Sequence, residues 1–233
     1  LDGRIKSLIL DLSAPHGGER LLDIGCGTGD NLRLFRQKGC VTTGIDSSSD
    51  NIDACEKKLG NRAELHLGNP GDLPFSDNEF DIVTMVASLE YMQNPAAALA
   101  EAIRVCRGRI FIGLMNCYSP IGIQGRLPAL FSVQTDAKAR YFHLPSLSGM
   151  IRQHLPGVRI AWGSVIFLPW GFYDAASKIE EQIPVMKNPF GAFIGVSFSV
   201  TFSYITIQDV IKKPAATPRS GEPAHGVVRE AGK

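Results

Sequence analysis

The chain has 233 residues, 44% of them hydrophobic and 20% charged, with 24 Lys and Arg against 23 Asp and Glu for a net charge of +1. That is enough for one α/β domain with a real core and too little for two generous ones. The near balance of charge excludes the basic footprint of a nucleic-acid binder or an anionic-membrane binder.

The first stretch, LDGRIKSLILDLSAP, has too short an apolar core for a signal peptide. Beyond it, RLLDI, CVTTGID, AELHLG, FDIVTMV and RIFIGLM are short, apolar and often β-branched. Between them helical period runs through Asn31–Lys38, Ser48–Leu59 and Pro95–Cys106. Pro95 suits the first turn of its helix and Ser48 suits a cap. This alternation over roughly 115 residues predicts βαβ units in a mainly parallel, doubly wound α/β sheet. Residues 116–145, punctuated by Pro120, Pro128 and Pro145, read as an irregular excursion. PSLSGMIRQHL then reads as a helix, VRIAWGSVIFL as a strand and Phe193–Tyr204 as the last strand. In that last segment Val196, Phe198 and Val200 alternate with serines and a threonine, a period of two that a membrane-spanning helix does not need. The tail over 212–233 is polar and rich in Pro, Gly and Ala, and is expected to be disordered. Five scattered cysteines (26, 40, 55, 106, 117) without a C-x-x-C predict reduced, mostly buried thiols, and with them a soluble, cytoplasmic protein without metal or stable membrane insertion.

The segment carrying the most chemistry is ERLLDIGCGTGDN, with Gly25, Gly27 and Gly29 between a strand and a helix. Glycine is needed where φ is positive or where something touches the main chain, and the carboxyl edge of an open α/β sheet is where ligands bind. A tight turn alone is the competing explanation. Asp46 ends the second strand, and a carboxylate there can take both hydroxyls of a ribose. Dinucleotide binders use G-x-G-x-x-G, whereas here the spacing is G-x-G-x-G and the helix opens with Asp30. Acids at 23 and 30 suit a ligand with an amine and a positive centre better than a pyrophosphate. They point to S-adenosyl-L-methionine.

The segments LLDIGCGTG, VTTGIDSS and LPFSDNEFDIVTMVASLEYMQNPAAALAEAIRVCRGRIFIGLMN resemble the class I S-adenosylmethionine-dependent methyltransferases, in particular their small-molecule type 11 branch. The likeness is close over residues 19–116 and looser through RYFHLPSLSGMIRQHLPGVRI. It implies a Rossmann-like sheet of about seven strands whose last is antiparallel, in a single domain over residues 1–211. It also implies that Asp23 and the backbone of Gly25, Cys26, Gly27 and Gly29 line the methionine end. Asp46 would hold the ribose, and Ala87 and Ser88 would flank the sulfonium. The adenine region departs from the family's Gly-Asp-Ala: here it is Gly68-Asn69-Pro70, with polar Ser47 and Asn51 where apolar residues are common. Asn69 keeps an acceptor in its amide oxygen, while Pro70 removes a backbone donor. Either binding is weakened or shifted, or neighbouring loops compensate. Asp72 is a second candidate for the adenine contact.

Methyl transfer is an in-line displacement, so a general base is needed only if the acceptor must lose a proton. The candidates are Glu90, Tyr91, Tyr118 and His143, each with a competing structural role: a helix-end charge, a lid, a packing ring and a local hydrogen-bonding residue. No Asn-Pro-Pro-Tyr follows the fourth strand and no nucleophilic Pro-Cys pair is present, which disfavours nucleic-acid substrates. The expected acceptor is a small, partly lipidic molecule under a cap formed by the excursion, with Trp162, Phe167 and Trp170 nearby. The same excursion also reads as a homodimer contact or a lid. Two other functions compete with methyl transfer: a non-catalytic domain binding S-adenosylmethionine or S-adenosylhomocysteine, and a nicotinamide-dependent dehydrogenase.

Overall fold

The computed structural model describes residues 3–116, 140, 142–165, 187–189 and 191–200. Most of the excursion, with Cys117 and Tyr118, lies outside the described residues, as do Phe167, Trp170 and the tail from 212. The elements in chain order are α1 (Gly3–Ser13), β1 (Arg20–Ile24), α2 (Asp30–Arg36), β2 (Val41–Asp46), α3 (Ser49–Leu59) and β3 (Glu64–Leu67). They continue with β4 (Phe80–Val86), α4 (Pro95–Val105), β5 (Cys106–Met115), α5 (Leu144–His154), β6 (Ile160–Val165) and β7 (Phe193–Ser199).

Local chemistry sets where the helices begin. The Ser48 hydroxyl accepts from the N–H of Asn51 at the start of α3, and the Asn94 side chain accepts from Ala97 N–H at the start of α4, where Pro95 occupies the first turn. α5 begins with a reciprocal cap: His143 Nδ1 accepts from Ser146 N–H at 2.9 Å, and the His143 N–H donates to the Ser146 hydroxyl.

The strands form one sheet in the order β3-β2-β1-β4-β5-β7-β6. β1 pairs in parallel with both β2 and β4, and β4 pairs in parallel with β5. β7 runs antiparallel between β5 and β6. Because successive strand residues face opposite ways, neighbours divide between two cores. Leu21, Ile82, Phe111 and Phe193 pack with α1, α2 and α3, whereas Leu22, Val83, Ile112 and Ile194 pack with α4 and α5. Strands buried on both faces read as apolar runs, as RLLDI and FDIVTMV do.

α1 is the element that the sequence reading passed over. Leu8 and Ile9 are fully buried, and the guanidinium of Arg109 donates to the carbonyls of Ser13 and Ala14 at the helix end while pairing with Glu19. A cation there satisfies carbonyls left open by the last turn. Among the described residues no helix is long and apolar enough to cross a membrane.

Candidate functional site

Strand order reverses direction at β1, with β2 and β3 on one side and β4 and β5 on the other. Loops leaving the carboxyl ends of β1 and β4 therefore diverge and open a crevice. A cavity of about 910 Å³ lies there, near the top of the ~300–1,000 Å³ range of small-molecule sites. Gly25 and Gly27 line it after β1, Asp46, Ser47, Ser48 and Asn51 after β2, and Leu67 to Gly71 at the end of β3. The β4 side contributes Ala87, Ser88 and the stretch Tyr91–Asn94, with Ala97 from α4.

The three loop glycines all have positive φ, but they serve different neighbours. A Cβ on Gly25 would stand 2.5 Å from Ser88 Cβ, and one on Gly29 would stand 2.5 Å from Cys55 Sγ. Gly25 thus lets β4's exit loop close on β1, and the Ser88 hydroxyl seals that contact by donating to Ile24 C=O at 2.8 Å. Gly29 lets α3 pack against the start of α2 and does not line the cavity. Only Gly27 has open space where a side chain would be. One position therefore leaves bare backbone beside open space in the cavity, and two make the close packing that shapes it.

Asp46 braces this loop. Its carboxylate accepts from Gly27 N–H at 2.9 Å, Ser48 N–H at 2.9 Å and the Asn51 amide at 3.2 Å. A carboxylate has about four acceptor positions, so roughly one remains for a ribose hydroxyl. A second hydroxyl would have to displace Asn51, the longest of the three bonds.

Asp23 does not line the cavity; it sits behind the loop, 0% exposed. Its Oδ1 accepts from the Thr84 hydroxyl at 2.6 Å, while its Oδ2 has no hydrogen-bond partner, nor has the buried Oδ1 of Asn31. Burial lifts the Asp23 carboxyl to about 7, against the pull of Thr84 and the neighbouring Asn31 amide. Cys26 is buried too, its sulfur against Gly44 of β2, and burial pushes its thiol up and keeps it unreactive. Asp30, exposed, is paired with Lys58 at 2.6 Å, so its charge is answered away from the cavity.

On the far wall, Asn69 and Pro70 form the turn after β3, and the Asn69 Oδ1 accepts from Gly71 N–H at 2.9 Å. Ala87 holds φ +50, a left-handed conformation costly for a residue with a Cβ, at the mouth of β4. Of the candidate bases, Tyr91 lines the cavity and is 56% exposed. Glu90 does not line it: one oxygen accepts from Met115 N–H at 2.8 Å, the other is buried without a partner, and burial pushes the carboxyl up. His143 does not line it either; its ring caps α5. Leu67, Met92, Gln93, Asn94 and Ala97 also line the cavity but were not singled out from sequence. Their sequence signal is position: Leu67 ends β3, Met92–Asn94 follow β4, and Ala97 lies in the first turn of α4.

The donor set suits a cationic nucleoside. Among the described lining residues Asp46 is the one charged side chain, and none is a Lys or Arg that could meet a pyrophosphate. The Asp23 carboxyl, buried behind the loop and raised to about 7, adds negative charge there only above that pH. S-adenosylmethionine, with its ammonium and sulfonium, fits this chemistry.

Comparison with known proteins agrees. The "Methyltransferase domain" family matches residues 22–111. A demethylmenaquinone methyltransferase of Thermotoga maritima is 34% identical over 116 residues, covering 48% of this chain and 50% of that protein. A malonyl-[acyl-carrier protein] O-methyltransferase of Serratia marcescens is 33% identical over 99 residues, covering 42% and 38%. The chain thus spans half or less of the length of these relatives. In fold, it resembles the crystal structure of a methyltransferase of Thermotoga maritima described as a "possible histamine N-methyltransferase". The TM-score is 0.66 at 20% identity, covering 84% of this chain and 89% of that one. Sheet order, glycine loop and family match converge on one assignment: residues 22–111 belong to the class I S-adenosylmethionine-dependent methyltransferases, whose methyl donor is S-adenosylmethionine.

Proposed function

We propose that the chain transfers a methyl group from S-adenosylmethionine to a small-molecule acceptor. The observation that carries this is a cavity at the strand-order reversal whose only charged lining group, among the described residues, is the carboxylate of Asp46. When bound, the cofactor supplies an electrophilic methyl on sulfur. The chain's residues bind and orient. Gly27 gives backbone access, Asp46 offers its remaining acceptor position to the ribose, and Asp23, bonded to Thr84, lies behind the loop. Ala87 and Ser88 shape the wall where the β4 loop leaves the sheet. Holding the acceptor in line and excluding water is the protein's main contribution to rate. Tyr91, exposed at the rim, is placed to cover the donor or contact the acceptor.

The relatives' names mention a demethylmenaquinone and a malonyl-[acyl-carrier protein], so they support small acceptors without selecting one. The apolar excursion over 116–145 supports a partly lipidic molecule. A second reading, binding without turnover, is favoured by one observation: of Glu90, Tyr91 and His143, only Tyr91 lines the cavity. The test is calorimetric titration with S-adenosylmethionine, S-adenosylhomocysteine and NAD, followed by a labelled-methyl transfer screen over small acceptors. Micromolar binding of the first two without NAD supports the cofactor, and transfer of label separates enzyme from binding domain. Tight NAD binding would instead revive the dehydrogenase.

A further inference from the structure

The loop from β3 to β4, residues 68–79, builds one wall of the cavity with little apolar support. Gly68 to Gly71 line the cavity, yet of residues 68–79 only Leu73 is buried. With so little burial, hydrogen bonds must fix the path of this segment. Its ties to α4 converge on one side chain. Arg104 engages all five guanidinium donors. Nε donates to Glu101 Oε1 at 2.7 Å, and Nη1 donates to Phe75 C=O and Asp77 Oδ1, both at 2.8 Å. Nη2 donates to Leu73 C=O at 3.0 Å and to Glu101 Oε2 at 2.7 Å. Glu101 Oε2 in turn accepts from Leu73 N–H at 2.8 Å, and Arg104 C=O accepts from Asn78 N–H at 2.9 Å. Leu73, just past the last lining position of the loop, is therefore gripped at both its N–H and its C=O. The grip reaches the cavity along α4, where Ala97, Glu101 and Arg104 share one helix face at i, i+4 and i+7. Ala97 lines the cavity, and a Cβ on Gly71 would stand 3.4 Å from Ala97 Cβ. One face of α4 thus supports the wall at its first turn and holds the loop behind that wall at its last.

Resting on the reading that this cavity takes S-adenosylmethionine, we propose that Arg104 is a positioning residue for that ligand. It lies outside the cavity and acts through Leu73 and the face of α4, holding the 68–71 wall in one place. Without it the wall takes several positions, and binding must select one of them. Lysine is no substitute, because an ammonium is a point charge with three donors and cannot span two carbonyls and two carboxylates.

The test is calorimetry of the full chain with S-adenosylhomocysteine, together with urea midpoints, on Arg104→Ala, Arg104→Lys and Arg109→Ala. Arg109 is a matched control. Its guanidinium bonds Ser13 C=O, Ala14 C=O and the Glu19 carboxylate, in the half of the sheet that carries no lining residue. If the freed wall is correctly placed about one time in ten, Arg104→Ala binds roughly tenfold more weakly than the wild type, with Arg104→Lys between them. Arg109→Ala should lower the urea midpoint yet bind within about twofold of the wild type, because distant sites act independently. Amide exchange in ligand-free Arg104→Ala should show lost protection at Leu73. Equal weakening in Arg109→Ala would overturn the proposal, since the effect would then be one of global stability. If the alanine variant does not fold, Arg104→Lys decides, and wild-type affinity there would overturn the proposal too. A wild type that binds alongside an unaffected Arg104→Ala would overturn this inference alone. A wild type that does not bind S-adenosylhomocysteine would overturn the cofactor reading and this inference with it.

Discussion

Asp23 and Asp46 flank the same loop and are both buried, yet their hydrogen-bond partners separate their behaviour. Asp23 has one oxygen bonded to Thr84 and one orphaned, and its carboxyl is raised from an ordinary 3.8 to about 7. Between those values the native state holds a proton that the unfolded chain has released, so stability falls as pH rises from about 4 to about 7. Over three units this is on the order of 4 kcal/mol. Asp23→Asn carries no titrating proton, and it places an N–H near the equally orphaned Asn31 oxygen. The variant should have a higher urea midpoint than the wild type at pH 8, a matching one at pH 4.5, and weaker S-adenosylhomocysteine binding. Parallel pH profiles for the two proteins would show that Asp23 is not the source of the slope. Asp46 is different because its acceptors are already in use by Gly27, Ser48 and Asn51. Asp46→Ala should therefore lower the ligand-free melting temperature as well as abolish binding, since each unsatisfied group costs about 1–3 kcal/mol. Asp46→Asn, which keeps one oxygen, should melt between the wild type and the alanine variant. An alanine variant that melts like the wild type would mean that the loop does not depend on Asp46.

At the scale of elements, α5 gives a clean separation of structural from chemical roles. His143 caps it through Nδ1, and removing a cap typically costs about 1 kcal/mol. His143→Asn should restore most of what His143→Ala loses in melting temperature, and both should leave the methyl-transfer rate of the folded protein unchanged. A rate that collapses in His143→Asn at unchanged stability would make the histidine a catalyst after all. The middle of the sheet makes a second demand. Gly113 of β5 pairs with Gly195 of β7, which pairs with Gly163 of β6. A Cβ on Gly113 would meet Phe193 Cζ at 2.5 Å, and one on Gly195 would meet Phe111 Cε2 at 3.0 Å and Leu12 of α1 at 3.1 Å. Gly113→Ala should destabilise by about 1–3 kcal/mol through overpacking, measured as a lower urea midpoint. These facts also explain what was legible beforehand. Strand and helix alternation, the Ser48 cap and the Pro95 turn are local properties, and through α4 the structure carries them within a residue or two of where periodicity put them, while β5 begins at Cys106, three residues ahead of RIFIGLM. The roles of Gly25 and Gly29 were not legible, because Ser88 and Cys55 meet them only once the sheet and α3 have folded. Asn69 was visible as a site residue, but not the direction of its amide, which the Gly71 N–H decides. α1 was missed because its apolar residues were weighed against a leader peptide and not against the faces of β5, β6 and β7.

Across the whole described structure, the cavity belongs to one half of the sheet. Its lining comes from the ends of β1 to β4 and the first turns of α3 and α4, whereas β5, β7 and β6 form the opposite half and pack against α1. A ligand held by the first half ties together four loops that are otherwise joined by a few hydrogen bonds such as Ser88 to Ile24 and Gly27 to Asp46. Binding to the native state alone stabilises it by about 2.7 kcal/mol at a ligand concentration of one hundred times Kd. At roughly 2–4 °C per kcal/mol for a chain of this size, S-adenosylhomocysteine should raise the melting temperature by about 5–10 °C. NAD at the same concentration should leave it unmoved, because the lining offers no cation to its phosphates. Amide hydrogen exchange then locates the effect. Protection should appear at 25–29, 46–51 and 67–71 and be weakest in β6 and β7, where no lining residue lies. Protection centred on β6 and β7, or a larger shift with NAD, would place the principal ligand outside the crevice at β1 and β4. The sheet would then keep its methyltransferase fold while the site moved elsewhere.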